Sequence, residues 1–412
     1  MKIVHVNNTD LPGARFNGHD VQIALNKKGI SCKQFVMEKL GDNPNTIPLI
    51  RDYEEPFLSN LCTFAETELS MHAMFYPYGW RLLQHRNFQQ ADIAHYHLLH
   101  NYFISYAMFP ELTKTKLAVL TIHDPWLFTG HCIYPIHCTK WERTKCHNCP
   151  NLERIFPMKK DNASYMWELK RTIFSNIELD LVVASKWMLD LVKRSPITAH
   201  FKNVHLIPFG IDTDVFHNKR EKTAIRNKLG IPQNHVVLFF RSEKSPVKGL
   251  KYILQMLKML PSFDNLTLLT VGSKGLLQRG SYKLVEQGWV NDEAFLAELY
   301  AASDIFLMPS VAEAFGVMAI EAMSSGLPIV VLDGTSLPDV TFAPECGLVV
   351  ENYDTTAFAK IVEHLIQNPE ERQRRGERGR LLALKHYKVQ DHFQKLIGLY
   401  HEILSRKSCK SR

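Results

Sequence analysis

Short apolar, β-branched runs alternate with segments of helical period, and the alternation runs twice along the chain. Residues 2–7 read as a strand, 18–28 as a helix and 31–37 as the next strand. Strands follow at 91–97, 117–123 and 179–185, then a helix at 186–194 and a strand at 204–209. The pattern restarts with strand 236–241, helix 250–260, strand 266–272 and helix 292–303. Strand 304–310, helix 316–325 and strand 328–333 continue it, and helices fill the remainder. Near-continuous apolar strands separated by helices belong to parallel sheets covered on both faces. The expected fold class is therefore α/β, with two facing Rossmann-like doubly wound domains and a cleft between them at the carboxyl ends of their strands. Turn chemistry in Pro208-Phe-Gly-Ile-Asp joins the halves. Expected boundaries are 1–207 for the first domain, 208–387 for the second, and 388–412 for a helix that packs back on the first.

Charge is uneven between these parts. The whole chain has 49 Lys+Arg against 42 Asp+Glu, a formal +7. Residues 1–206 hold 23 basic and 19 acidic groups, 207–394 hold 21 and 22, and 395–412 hold 5 and 1. The excess thus lies in the first half and the tail, where it suits an anionic acceptor or a membrane surface and is too weak to call for nucleic acid. Aromatics mixed with Lys159, Lys160, Lys170 and Arg171 over 154–174, and aromatics over 77–88, suggest basic amphipathic faces for peripheral membrane contact. The Arg-dense stretch 372–380 is interleaved with Glu377 and follows Glu371, and it reads as a solvated helix. No apolar run approaches the ~18 residues of a membrane span, and the opening MKIVHVNN reads as a strand, not a signal peptide. A cytoplasmic place, at the inner face of the membrane, is expected.

The stretch Glu313-Ala-Phe-Gly-Val-Met-Ala-Ile-Glu321 lies between two buried strands. Glu313 falls in the strand-to-helix loop, and Gly316 opens the helix. A helix start leaves N–H groups unpaired and carries a positive partial charge, so it suits a phosphate. Glu313 is placed for sugar hydroxyls and Glu321, about one and a half turns in, for those of a ribose. The motif closely resembles that of the retaining family-4 glycosyltransferases of the GT-B fold: two glutamates with seven residues between them, Phe-Gly after the first and Ser-Gly-Leu-Pro after the second. The resemblance covers nearly the whole chain, most strongly its second half. It implies that Glu313 contacts the donor sugar, that Glu321 holds the donor ribose, and that Phe315, Gly316 and Val317 lie under the sugar and diphosphate. By the same resemblance Arg241 and Lys248 hold the diphosphate, with Lys244 as a competitor because the spacing departs from the common one. The turn Glu286-Gln-Gly-Trp-Val290 reads the nucleobase through its backbone. In the first domain the turn 11–15 follows the first strand. Gly13 and Arg15 there belong to the donor-phosphate contacts, and His123, beside Asp124 at a strand end, touches the donor sugar. His95, His97, His100 and Asn101 gather at another strand end, where acceptor contact is expected.

Half of the eight cysteines fall within 18 residues, in the spacing Cys132-x5-Cys138-x7-Cys146-x2-Cys149. Four thiolates with a two-residue knuckle can close a tetrahedral zinc site, with His131, His137 or His147 as substitutes for one ligand. Disulfides or free thiols are the alternative. A subset of the resembled family carries a similar Cys-rich insertion, here 130–150. The resemblance implies transfer of a hexose-type sugar, with retention, from a nucleotide diphosphate sugar to a hydroxyl of a glycan or lipid-linked acceptor in polysaccharide or lipopolysaccharide biosynthesis. No catalytic cofactor is expected, only the structural zinc. The rivals are a nucleotide-sugar epimerase or phosphorylase of the same fold, and a zinc-dependent nucleic-acid-binding protein.

Overall fold

The structure, a computed structural model, describes residues 1–11, 13–50, 55–278 and 280–410. Pro12 of the turn 11–15 and the end of the tail, 411–412, lie outside the described residues. The chain forms two compact units: Met1–Ile207 with Phe393–Arg412, and Pro208–His392.

The first unit is built on β1 (Lys2–Thr9), β2 (Ser31–Glu38), β3 (Thr46–Pro48), β4 (Ile93–Tyr96), β5 (Leu117–Ile122), β6 (Asp180–Val183) and β7 (Val204–Leu206). They make one parallel sheet in the order β3-β2-β1-β4-β5-β6-β7. Ile3, Ile93, Val119 and Val182 give its core one residue each from four strands. Helix His19–Lys27 adds Val21 and Leu25, and helix Val389–Lys410 adds Leu396, Leu399, Tyr400 and Ile403.

The second unit repeats the architecture with β8 (Val236–Ser242), β9 (Leu266–Gly272), β10 (Lys283–Glu286), β11 (Ile305–Met308), β12 (Ile329–Leu332) and β13 (Gly347–Val350). Its parallel order is β10-β9-β8-β11-β12-β13. Phe239, Tyr300 and Phe306 pack ring against ring at 4.9–5.5 Å in its core.

Three strands, β3, β10 and β13, are absent from the sequence expectation, and all three are edge strands. An edge strand pairs on one side only, so a short and half-polar segment suffices. The boundary near the end also differs. Val389 donates its N–H to Ile211 O at 3.0 Å, and His392 Nδ1 lies 2.9 Å from Pro208 O. These bonds tie the first turn of the last helix to the second unit, so the units divide after His392 and not at 387. Among the described residues no helix is long and apolar enough to cross a membrane.

Candidate functional site

Open parallel sheets bind ligands beyond the carboxyl ends of their strands, where the chain reverses its direction of travel across the sheet. In the second unit that point lies between β8 and β11, and in the first between β1 and β4.

In the second unit, Arg241 is the penultimate residue of β8, and Lys248 ends the single turn Pro246–Lys248 that follows. Gly249 comes next with φ 76°, and a Cβ there would stand 1.8 Å from Pro309 O. Only a glycine lets this loop lie against the end of β11. Val311 N–H donates to Val247 O at 2.9 Å and fastens the two loops together. Lys248 Nζ consequently reaches Glu313 Oε2 at 3.1 Å, with both side chains largely shielded. Lys244 is exposed, so Lys248 is the lysine that meets the glutamate. Ser336 anchors the Glu313 carbonyl from the far side, through its N–H at 3.1 Å and its hydroxyl at 3.0 Å. Gly316, at φ 94°, precedes helix Val317–Ser324.

Glu321 is buried, and Tyr300 O–H donates to its Oε2 at 2.9 Å. Sequence reasoning misses Tyr300, because its helix pattern reads as core and it is core. The Phe315 ring is buried against Phe209 and Tyr387, so only its backbone is open to a ligand. Arg241 sits 4.8 Å above the exposed Trp289 ring, with its Nε 2.7 Å from Glu243. Val290 follows that tryptophan in the turn beyond β10, which Gly288 O ties to Gly272 N–H at 2.8 Å. Arg241, Lys248, Glu313, Gly316 and Val317 thus lie at and beyond the carboxyl ends of β8 and β11, on either side of the switch point, and Trp289 joins them from beyond β10 through its contact with Arg241.

In the first unit, Gly13 and Arg15 occupy the turn after β1, and the Phe16 ring of that turn lies 5.7 Å from the His123 ring beyond β5. His123 Nε2 is 3.0 Å from His97 Nδ1, and His97 Nε2 is 3.0 Å from His5 Nδ1. Of the four residues expected at the acceptor, the three histidines do not fit, while Asn101 is half-buried. His95, His97 and His100 are buried, at 0%, 2% and 5% exposure, and are spent on internal partners. His100 stacks on Trp126 and faces Asp124 at 3.4 Å. Burial pushes the Asp124 carboxyl up, but His100 and the Trp126 N–H together outweigh it and hold it below the usual range.

Lys170 also departs from expectation, since it is fully buried and can meet no lipid. Its Nζ donates to Trp126 O and Thr129 O at 2.8 Å each and lies over the Trp126 ring. Burial pulls its ammonium well below the ordinary lysine range. The Arg-dense stretch 372–380 is not simply solvated either, because Arg380 donates to the carbonyls of Thr213, Phe216 and Ser324.

Cys132, Cys138, Cys146 and Cys149 line a cavity of about 10 Å³ together with His131 and Trp141. Lys145, Cys146 and Asn148 take left-handed φ values of 53°, 58° and 50°, which fold the knuckle tightly. His131 Nε2 lies 3.4 Å from Cys149 Sγ and 3.8 Å from Cys132 Sγ. Burial pushes the Cys132 thiol up to about 11 and the Cys146 thiol to about 12. Among the described residues, the trio of ligand atoms mutually within 4.8 Å is His5, His95 and His97, not the cysteines.

Known proteins share parts of this chain. Residues 221–382 match the family described as glycosyl transferases group 1. The MMP alpha-(1->4)-mannosyltransferase of Mycolicibacterium hassiacum is 24% identical over 248 residues, 58% of this chain and 57% of that protein. The D-inositol 3-phosphate glycosyltransferase of Xylanimonas cellulosilytica is 28% identical over 200 residues, 45% of this chain and 46% of that protein. The matches thus span about half the length of these relatives. Sucrose-phosphate synthase from Thermosynechococcus elongatus superposes with a TM-score of 0.69 at 18% identity, covering 98% of this chain and 100% of that one. Alr3699/HepE from Anabaena, solved in complex with UDP-glucose, gives 0.67 at 15% identity, over 98% and 100%. These likenesses establish the fold class: two Rossmann-like parallel-sheet units of the GT-B type, with seven and six strands.

Proposed function

We propose that the protein is a retaining glycosyltransferase that moves a hexose-type sugar from a nucleoside diphosphate sugar to a hydroxyl of a glycan or lipid-linked acceptor. The pairing of Lys248 with Glu313 beside the start of helix Val317–Ser324 carries this reading. It puts a cation, a hydroxyl acceptor and helix N–H groups at the switch point of one sheet. As the bond from sugar to diphosphate breaks, negative charge grows on the departing phosphates. Arg241, Lys248 and the N–H groups of Gly316 and Val317 stabilise that charge, so the reaction as proposed calls for no catalytic metal. Donor binding takes Lys248 from Glu313 to phosphate and frees the carboxylate for sugar hydroxyls. Glu321 accepts from the ribose, and the backbones at Phe315 and Val290 line sugar and base. In the first unit, Gly13 and Arg15 serve the donor phosphate and His123 the transferred sugar. The relatives' names, mannosyltransferase and inositol-phosphate glycosyltransferase among them, support the reaction class.

The same proposal places the enzyme in polysaccharide or lipopolysaccharide biosynthesis at the inner face of the membrane, with the unit Pro208–His392 on the donor side and the unit built on Met1–Ile207 on the acceptor side. The cysteines around their cavity hold a structural zinc. Cys132, Cys138, Cys146 and Cys149, with His131 as a substitute for one of them, would hold the metal as thiolate ligands and give it a purely structural role.

A screen of UDP-, GDP- and ADP-sugars by thermal shift and hydrolysis tests the enzyme reading. At least one donor should raise the melting temperature, and Lys248→Ala should lower its turnover by about 100-fold or more. Absence of binding by every nucleotide and nucleotide sugar sinks it.

A further inference from the structure

Both ring nitrogens of His97 are committed to other imidazoles. Nδ1 faces His123 Nε2 at 3.0 Å, and Nε2 faces His5 Nδ1 at 3.0 Å. The chain continues inward. Tyr400, from the last helix, brings its hydroxyl 3.5 Å from His5 Nε2 and 2.7 Å from His95 Nδ1. His95 Nε2 ends on the Thr121 hydroxyl at 2.7 Å. His5, His95 and Tyr400 are fully buried and His97 nearly so, so no water competes for these groups.

Each link between two imidazoles holds one proton, donated by one nitrogen and accepted by the other. In neutral rings, a proton on one nitrogen of His97 therefore fixes where the protons of His5 and His123 stand. The hydroxyls of Tyr400 and Thr121 can each donate or accept, so the whole chain has two consistent proton directions and no broken link in either. A histidine that only filled space would need one polar partner, not two imidazoles in series. Titratable groups near the chain include Asp124, next to His123 and paired with His100, and Cys32 of β2, near Tyr400.

We propose that His97 is a positioning residue, which holds the ring and proton of His123 through a buried chain that runs back to Tyr400. The part of this that concerns turnover rests on the proposed role of His123 toward the donor sugar. A ring held in one orientation, with its proton coupled to those of the chain behind it, meets the substrate without reorganising, and loss of such positioning costs rate more than binding.

The full-length protein tests it in two arms. In the first, imidazole ¹⁵N shifts of His123 are read in the parent protein, with His123→Gln for assignment. His97→Ala should move the His123 tautomer signal, Tyr400→Phe should move it less, and His97→Asn should return it, since the Asn amide replaces Nδ1. In the second, with UDP-glucose or whichever donor the screen selects, His97→Ala should lower kcat by about 100-fold with KM within about threefold. His97→Asn should recover most of that loss, and the pH profile of kcat should shift in His97→Ala and not in His97→Asn. An unmoved His123 signal in folded His97→Ala or Tyr400→Phe overturns the proposal. So does an unchanged kcat, or a stoichiometric metal on the parent protein that His97→Ala releases. If no donor turns over but the His123 signal moves, the relay stands and the glycosyltransferase reading fails.

Discussion

Gly249 places a cation by lacking a side chain. At φ 76°, with Pro309 O where a Cβ would stand, it lets the loop after β8 lie on the end of β11 and carries Lys248 to Glu313. Alanine there must push backbone against backbone. Gly249→Ala is expected to cost about 1–3 kcal/mol, the scale of a strained non-glycine residue, read as a lower urea midpoint at unchanged slope. Because Lys248 moves with the loop, donor affinity should fall in the same variant. Lys170 makes the opposite point: a lysine in a polar-looking helix is wholly internal, held by two carbonyls and an indole. Such placement depends on what lies above the residue and not on its neighbours in sequence.

Among the elements, the cysteine-rich segment has little regular structure of its own. Within residues 130–150 there is one four-residue helix, Lys140–Arg143, and the segment packs around Trp141 and the four thiols. A metal can supply roughly 10–16 kcal/mol of local folding free energy to such a segment. Protein purified without chelator should carry close to one zinc per chain, and its removal should make the segment the first site of proteolysis. Zinc below about 0.2 per chain, with stability unaffected by chelator, would refute the zinc site. The helix Pro369–His386 reads as charged and solvated, yet it is a strut of the second unit. Arg372 caps the carbonyls of Leu365 and Ile366, Arg375 donates to Pro344 O, and Arg380 gathers three more.

Across the whole molecule, the chain leaves the first unit after Ile207, builds the second, and returns for its last helix. That return supplies Leu396, Leu399, Tyr400 and Ile403 to the first core, each no more than 4% exposed. Four such side chains at about 1.5–3 kcal/mol apiece amount to roughly 6–12 kcal/mol, comparable with the entire stability of a domain. A chain ending at His392 is therefore expected to lose the fold of its first unit, seen as rapid proteolysis of residues 1–207. Persistence of a protease-resistant first unit would show that the helix is an accessory and not part of the core.

The two α/β halves are legible in the order of residues alone, because central parallel strands are buried on both faces and leave a continuous apolar signal. The loop after β11 is recognisable from Gly316 and the two glutamates, whose spacing is local to one helix start. Edge strands β3, β10 and β13 are not, since pairing on one side demands no such signal. Tertiary packing alone brings Lys248 to Glu313, sets Tyr300 over Glu321, and lines up His5, His97 and His123. Those contacts join residues from separate elements, and Tyr400 reaches His95 across 305 positions. Periodicity reports which face of an element is buried, whereas partners are chosen by the order in which strands assemble into the sheet.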